Sequence, residues 1–189
     1  INHSFLPQLA RAAASRHMEI LFGIVERETV DGVTRYYNSV MNVGPDPGVY
    51  RKHHLVPFGE YLPLERQTRW LLDYLQIPMS DFSAGPAHQL PLKVDGQDVG
   101  MSICYEDAFG EDIRRSLPQA TLLANVTEDA WYGNSLAPHQ QLEMAQMRAV
   151  ETDREMVLAT NNGVTAIVDN HGHIVARAPQ FRSWVLTGT

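Results

Sequence analysis

Cys104 is the only cysteine in this 189-residue chain, and it stands in the stretch "GMSICYED" at positions 100–107. Small residues precede it and carboxylates come after. A thiol serves as a nucleophile when a base takes its proton and backbone N–H groups receive the oxyanion that its attack creates. At the end of a buried strand and directly before a helix, the thiol would sit against helix N-terminal amides, which lower its pKa. The same position also suits an ordinary small core residue, because free cysteine is among the most buried residue types. The polar run Tyr105, Glu106 and Asp107 weighs towards the nucleophile.

Such a thiol needs a partner. Eight histidines are available, but none falls in a Cys/His arrangement of the papain or caspase kind. There is no HExxH pair and no glycine-rich phosphate loop. "NHGH" at 170–173 reads as a solvated hairpin tip rather than a metal site, and the sequence implies no metal and no cofactor. Ser135 in "GNSLA" lacks the final glycine of a nucleophile elbow and is sufficiently explained as a helix cap. Lys52 is the more informative residue. In "YRKHHLVPFGEYLP" at 50–63 it adjoins two histidines within a mostly apolar segment, where it is either paired or a solvated charge on an edge strand. As a lysine near a cleft, it is expected to add little to the core.

The elements that position these groups are set by hydrophobic periodicity. Leu6, Leu9, Ala10, Ala13 and Ala14 have helical spacing, with Ser4 as the N-cap. "EILFGIVERE" and "RYYNSVMNV" read as strands joined by the Asp31-Gly32 turn. "LERQTRWLLDYLQI" reads as a helix ended by Pro78. Asp95-Gly96 marks a second hairpin, whose second strand places Val99, Met101 and Ile103 on one face and Gly100, Ser102 and Cys104 on the other. A short helix, "FGEDIRRSL", leads to the buried strand "ATLLANV" and then to a long helix over "SLAPHQQLEMAQMRAVETDR". "EMVLATNN", "VTAIVDN" and "HIVARAP" are the last strands. Hairpins alternating with helices give an α/β sandwich in which helices cover packed sheets.

The totals exclude several classes. With 15 basic and 22 acidic side chains the net charge is -7, and no cationic run is present to neutralise nucleic-acid phosphates. No stretch approaches the ~18–20 apolar residues of a membrane-spanning helix. One cysteine closes no internal disulfide and builds no cysteine-rich zinc site. The abrupt start at Ile1 and end at Thr189 suggest an internal segment of a longer chain.

Together, "KHHLVPFGEYLP", "SICYED", "FSAGP", "NVTEDAWYGNS", "QMRAVE" and "TNNGVTAIV" resemble the nitrilase (carbon-nitrogen hydrolase) superfamily, and within it the bacterial apolipoprotein N-acyltransferases. The resemblance runs through essentially the whole chain. It implies a nitrilase-like α-β-β-α sandwich over 1–189, partial at both ends, without its first strand and without flanking membrane helices. It matches Lys52 to the triad lysine, Cys104 to the nucleophile and Glu60 to an accessory glutamate, while Tyr105 and Glu106 match the pair after the nucleophile. Each has a plainer alternative: core packing for Tyr105, a helix N-terminal carboxylate for Glu106, and a loop carboxylate satisfying backbone amides for Glu60.

The resemblance further implies acyl transfer from a phospholipid through a Cys104 thioester to the α-amine of a diacylglyceryl-cysteine lipoprotein. This would take place on the periplasmic face of the bacterial inner membrane. A soluble amidase or nitrilase of the same superfamily, or a non-catalytic interaction segment, is the alternative. Two departures stand out. The triad glutamate is expected upstream of the first helix, outside this chain, and Glu19 and Glu26 are poor substitutes because they belong to the next strand. Glu128 replaces an asparagine more usual in the family, altering a contact near the pocket.

Overall fold

The computed structural model describes residues 5–61 and 81–188. The expected helix over 64–77 and the Ser4 cap lie outside the described residues. Two sheets are present. In the first, β1 (Ile20–Val30), β2 (Val33–Val43) and β3 (Gly48–Arg51) lie in the order β1-β2-β3. The second runs β4 (Leu92–Val94), β5 (Gln97–Ile103), β6 (Leu122–Glu128), β7 (Met156–Asn161), β8 (Ala166–Val168) and β9 (Ile174–Arg177) in chain order.

Both expected hairpins form, and their turns show why. Asp31 and Gly32 have φ of 52° and 78°, and Asp95 and Gly96 have 48° and 79°; this left-handed geometry matches the twist of the flanking strands. β5, β6 and β7 are parallel, which requires crossovers. Helix α2 (Gly110–Arg114) lies on the first and α3 (Ala137–Thr152) on the second.

The sheets pack face to face through Val40, Leu92, Val99, Met101, Ile103 and Ala124. A second cluster joins the outer face of the larger sheet to α3, through Leu123, Met156, Leu158, Ala166 and Val168 on strands and Leu142, Ala145 and Ala149 on the helix. Each fully buried aliphatic side chain contributes about 1.5–3 kcal/mol relative to exposure. Ala145 and Ala149 are small enough to bring the helix close to the strands. Helix α1 (Phe5–Ser15) packs on β2 through Ala13, so the layers run helix, sheet, sheet, helix. Helix α3 starts two residues later than Ser135; its first N–H, from Ala137, still donates to Ser135 Oγ at 3.3 Å.

Candidate active site

Strand β5 ends at Ile103, and the chain turns abruptly at Cys104, whose φ of 55° lies in the left-handed region that disfavours side chains. A non-glycine residue persists there only when its surroundings over-determine it, at a cost of about 1–3 kcal/mol. Here the restraint is explicit. The Cys104 carbonyl accepts from Asn125 Nδ2 at 2.8 Å and from Gln141 Nε2 at 3.1 Å. Asn125 Oδ1 in turn accepts from Thr127 Oγ1 at 2.6 Å, and Gln141 Nε2 also reaches Thr127 Oγ1 at 2.7 Å. A strand residue and a helix residue thus grip the turn from two sides.

This turn corrects one expectation. Cys104 does not continue the Gly100/Ser102 face; it packs beside Ile103 and Met101 in the core between the sheets. Positive φ swings its Cβ off the strand alternation. The chain then makes a 3₁₀ turn over Cys104–Ala108, and the α-helix begins only at Gly110. The thiol's acidity also runs opposite to expectation. Burial pushes the Cys104 pKa up, outweighing the opposing pull of the Lys52 charge and the Tyr105 backbone N–H. Burial thus favours the thiol over the thiolate, and a thiol so placed could act as a nucleophile only with a base to remove its proton as it attacks.

Lys52 stands just beyond β3, with its backbone N–H bonded to Asn38 O at 2.8 Å and its own carbonyl receiving Gly85 N–H at 2.8 Å. Gly85 has to be glycine: a Cβ there would lie 2.4 Å from Arg51 O. The lysine is 1% exposed, among the most deeply buried large side chains of the chain, which excludes a solvated edge charge. Its ammonium meets Glu60 Oε2 at 2.8 Å and lies 5.2 Å from the Tyr105 ring centroid. Glu60 is fixed in turn, Oε1 by Asn38 Nδ2 at 2.7 Å and Oε2 by Val56 N–H at 2.8 Å. Glu60 therefore does two things at once: it satisfies a loop amide and it pairs with the lysine.

Glu106 is a helix N-terminal carboxylate, in the first turn of the 3₁₀ segment Cys104–Ala108, but it is buried and does more than cap that turn. It is 3% exposed, and its oxygens accept from the N–H groups of His53 (2.7 Å), His54 (2.9 Å) and Ile103 (2.8 Å) and from the Tyr50 hydroxyl (3.1 Å). It ties the Lys52 loop to the residue before Cys104. Burial still raises its pKa, against those backbone donors and the Lys52 charge. In Glu106→Gln the amide nitrogen can take the Oε2 side, where the Tyr50 hydroxyl can turn to accept from it, but Ile103 N–H is left unsatisfied at a cost of about 1–3 kcal/mol. The expected result is a loss of about 1–3 kcal/mol in urea unfolding, and a midpoint unchanged from the parent contradicts the clamp. Tyr105 donates its hydroxyl to Leu55 O at 2.8 Å and sets its ring edge-on to Phe109; burial pushes its phenol up to about 12.

Other candidates fall away from the thiol. Glu26 is committed to Arg51, at 2.5 Å and 2.8 Å, and Glu19 accepts Asp46 N–H. Glu128 accepts Ala130 N–H at 2.9 Å and Asn161 Nδ2 at 2.6 Å, so it ties the turn after β6 to the end of β7. At "NHGH", Asp169 organises the turn by accepting the N–H groups of His171 and His173. Sequence reasoning missed Asn38, Tyr50, Asn125, Thr127 and Gln141. Of these only Asn125 left a signal, as a polar residue inside the apolar run "LLANV".

A carbon-nitrogen hydrolase family model matches residues 1–189, and the chain belongs to that family. Solved structures agree on the fold. A Helicobacter pylori carbon-nitrogen hydrolase superposes with a TM-score of 0.65 at 16% identity, covering 90% of this chain and 61% of its own. A Saccharomyces cerevisiae nitrilase-superfamily protein gives 0.67 at 18% identity, covering 93% and 60%. Curated relatives are nearer in sequence. An apolipoprotein N-acyltransferase of Nitrosomonas europaea is 49% identical over 98% of this chain and 37% of its own length. One of Methylococcus capsulatus is 47% identical over 100% and 37%. The chain thus spans little more than a third of the curated relatives it matches.

Proposed function

We propose that residues 1–189 are part of the nitrilase-like catalytic domain of an apolipoprotein N-acyltransferase. The observation that carries this reading is 49% identity, over 98% of the chain, to a protein of that name. The matched stretch contains the buried Lys52–Glu60 pair and the strained turn at Cys104.

In the reaction, Cys104 attacks an ester carbonyl of a membrane phospholipid. The S–C bond forms, the C–O bond breaks, and the lysophospholipid leaves with the proton that the thiol gives up. Lys52 and the Tyr105 backbone N–H receive the negative charge that develops on the carbonyl oxygen. The base is a glutamate supplied from sequence upstream of this segment, and Glu60 holds the Lys52 ammonium in place. The α-amine of a diacylglyceryl-cysteine lipoprotein then opens the thioester and leaves with an amide. Among the described residues no helix is long and apolar enough to cross a membrane. Anchoring in the bacterial inner membrane, with this domain facing the periplasm, is part of the same proposal.

The test is acyl transfer from phospholipid to a synthetic diacylglyceryl lipopeptide in mixed micelles, using the full-length protein that contains this segment. N-acylated lipopeptide is the expected product. Hydrolysis of a small amide without any transfer would instead make the protein a hydrolase of the same family.

A further inference from the structure

Asp129 is not among the groups assigned above to the acylation of Cys104, yet its placement is unusual. Cys104, Asp129 and Gly163 lie just past the carboxyl ends of three neighbouring parallel strands, β5, β6 and β7. That edge is where open α/β sheets bind ligands. Asp129 is 1% exposed, and neither carboxylate oxygen has a hydrogen-bond donor among the described residues. It stands at the N-cap of the short 3₁₀ turn Ala130–Tyr132 without capping it, since Ala130 N–H goes to Glu128. Its Oδ2 lies against Gly163, where a Cβ would come within 1.8 Å, so the glycine of "TNNGVT" makes room for this carboxylate.

Asp129 is also electrostatically coupled to the thiol. Its charge adds a smaller contribution to the rise that burial gives Cys104, and the Tyr132 phenol is raised first by burial and then by Cys104 and Asp129. Asp107, another buried carboxylate among the described residues, has the Arg148 guanidinium and nearby backbone N–H groups to offset it. Among the described residues Asp129 has no such cation: burial, with help from Glu128, pushes its pKa up to about 6. A buried anion without a donor is costly until a cation with N–H groups arrives.

We propose that Asp129 is the receptor for the ammonium group of the acyl acceptor, holding it beside the Cys104 thioester and taking the proton that must leave before nitrogen can attack. This rests on the acyltransferase reading of the chain. It adds a means of separating the two substrates, because the same carboxylate repels the phosphate of the donor lipid. The protons balance. An ammonium bearing three hydrogens gives one to the Asp129 carboxylate, and the free amine attacks the carbonyl as the N–C bond forms and the C–S bond breaks. A second proton passes from nitrogen to the departing thiolate, and an amide remains. Asp129 later releases its proton to water. A free α-amine has a pKa of about 7.7–8.0, so a carboxylate at about 6 is an adequate though weak acceptor near neutrality.

The experiment separates the half-reactions in the full-length protein. Acylation of Cys104 from phosphatidylglycerol micelles is followed by intact mass. The isolated acyl-enzyme is then discharged either with a diacylglyceryl-cysteinyl peptide or with hydroxylamine, which is neutral at pH 7. For Asp129→Asn we expect acylation within about twofold of the parent and unchanged hydroxylamine discharge. Discharge by the peptide should fall roughly 10²-fold at pH 7 and recover in part at pH 9, where the amine is already free. Gly163→Ala displaces the carboxylate without removing it, should show the same selective loss, and decides the matter if Asp129→Asn fails to fold. Equal loss of acylation and peptide discharge, or peptide discharge at the parent rate, overturns the proposal. A parent protein that forms no Cys104 thioester overturns the acyltransferase reading instead.

Discussion

Cys104→Ala in the full-length protein is expected to reduce acyl transfer by about 10⁴-fold or more, because the nucleophile of a catalytic unit cannot be replaced by its neighbours. The parent should carry a hydroxylamine-sensitive acyl adduct on Cys104 after incubation with phospholipid, and an adduct that survives Cys104→Ser would place the acyl group elsewhere. Alkylation offers an independent check. Since burial raises the thiol above its ordinary value of 9.0, the thiolate fraction is small at neutral pH. Alkylation by iodoacetamide should therefore keep accelerating beyond pH 9 in the absence of substrate. A rate that levels off below pH 8 would mean that Lys52 and the Tyr105 N–H outweigh burial, and that Cys104 rests as a thiolate.

Features that depend on a few neighbouring residues were legible in the sequence. Asp31-Gly32 and Asp95-Gly96 specify their turns through their own left-handed preference, so both hairpins could be placed without knowing the rest of the chain. The alternation Val99, Met101, Ile103 likewise belongs to a strand with one face in the core between the sheets. Cys104 escapes that pattern because its φ of 55° is imposed from a distance, by Asn125 on β6 and Gln141 on α3, 21 and 37 residues away. The thiol's acidity was misjudged for a related reason. Neighbours that lower its pKa can be read along the chain, whereas burial, which wins, is a property of the assembled core. The roles matched to Lys52 and Glu60 came from resemblance alone. No periodicity could show that a lysine at the end of β3 would be 1% exposed.

That burial changes what Lys52→Met should do. A lysine beside a cleft is expected to matter little for folding, but Lys52 neutralises Glu60, a carboxylate with only 12% of its side chain exposed. Removing one partner of a buried pair typically costs about 3–5 kcal/mol, because the remaining charge is left uncompensated. Glu60 keeps its bonds from Asn38 and Val56, which places the expected loss near the lower end, at about 3 kcal/mol in urea unfolding. The rate of Cys104 acylation should fall by roughly 10²-fold or more, as it does when an oxyanion donor is lost. The two effects are separable. In the double variant Lys52→Met, Glu60→Gln the uncompensated charge is gone, so most of the stability should return while acylation stays low. A double variant that remains as unstable as Lys52→Met would mean that the lysine's alkyl chain, rather than its charge, supports the loop. Near-parent acylation by the double variant would remove Lys52 from the oxyanion site and leave the Tyr105 backbone N–H as the donor that this segment supplies.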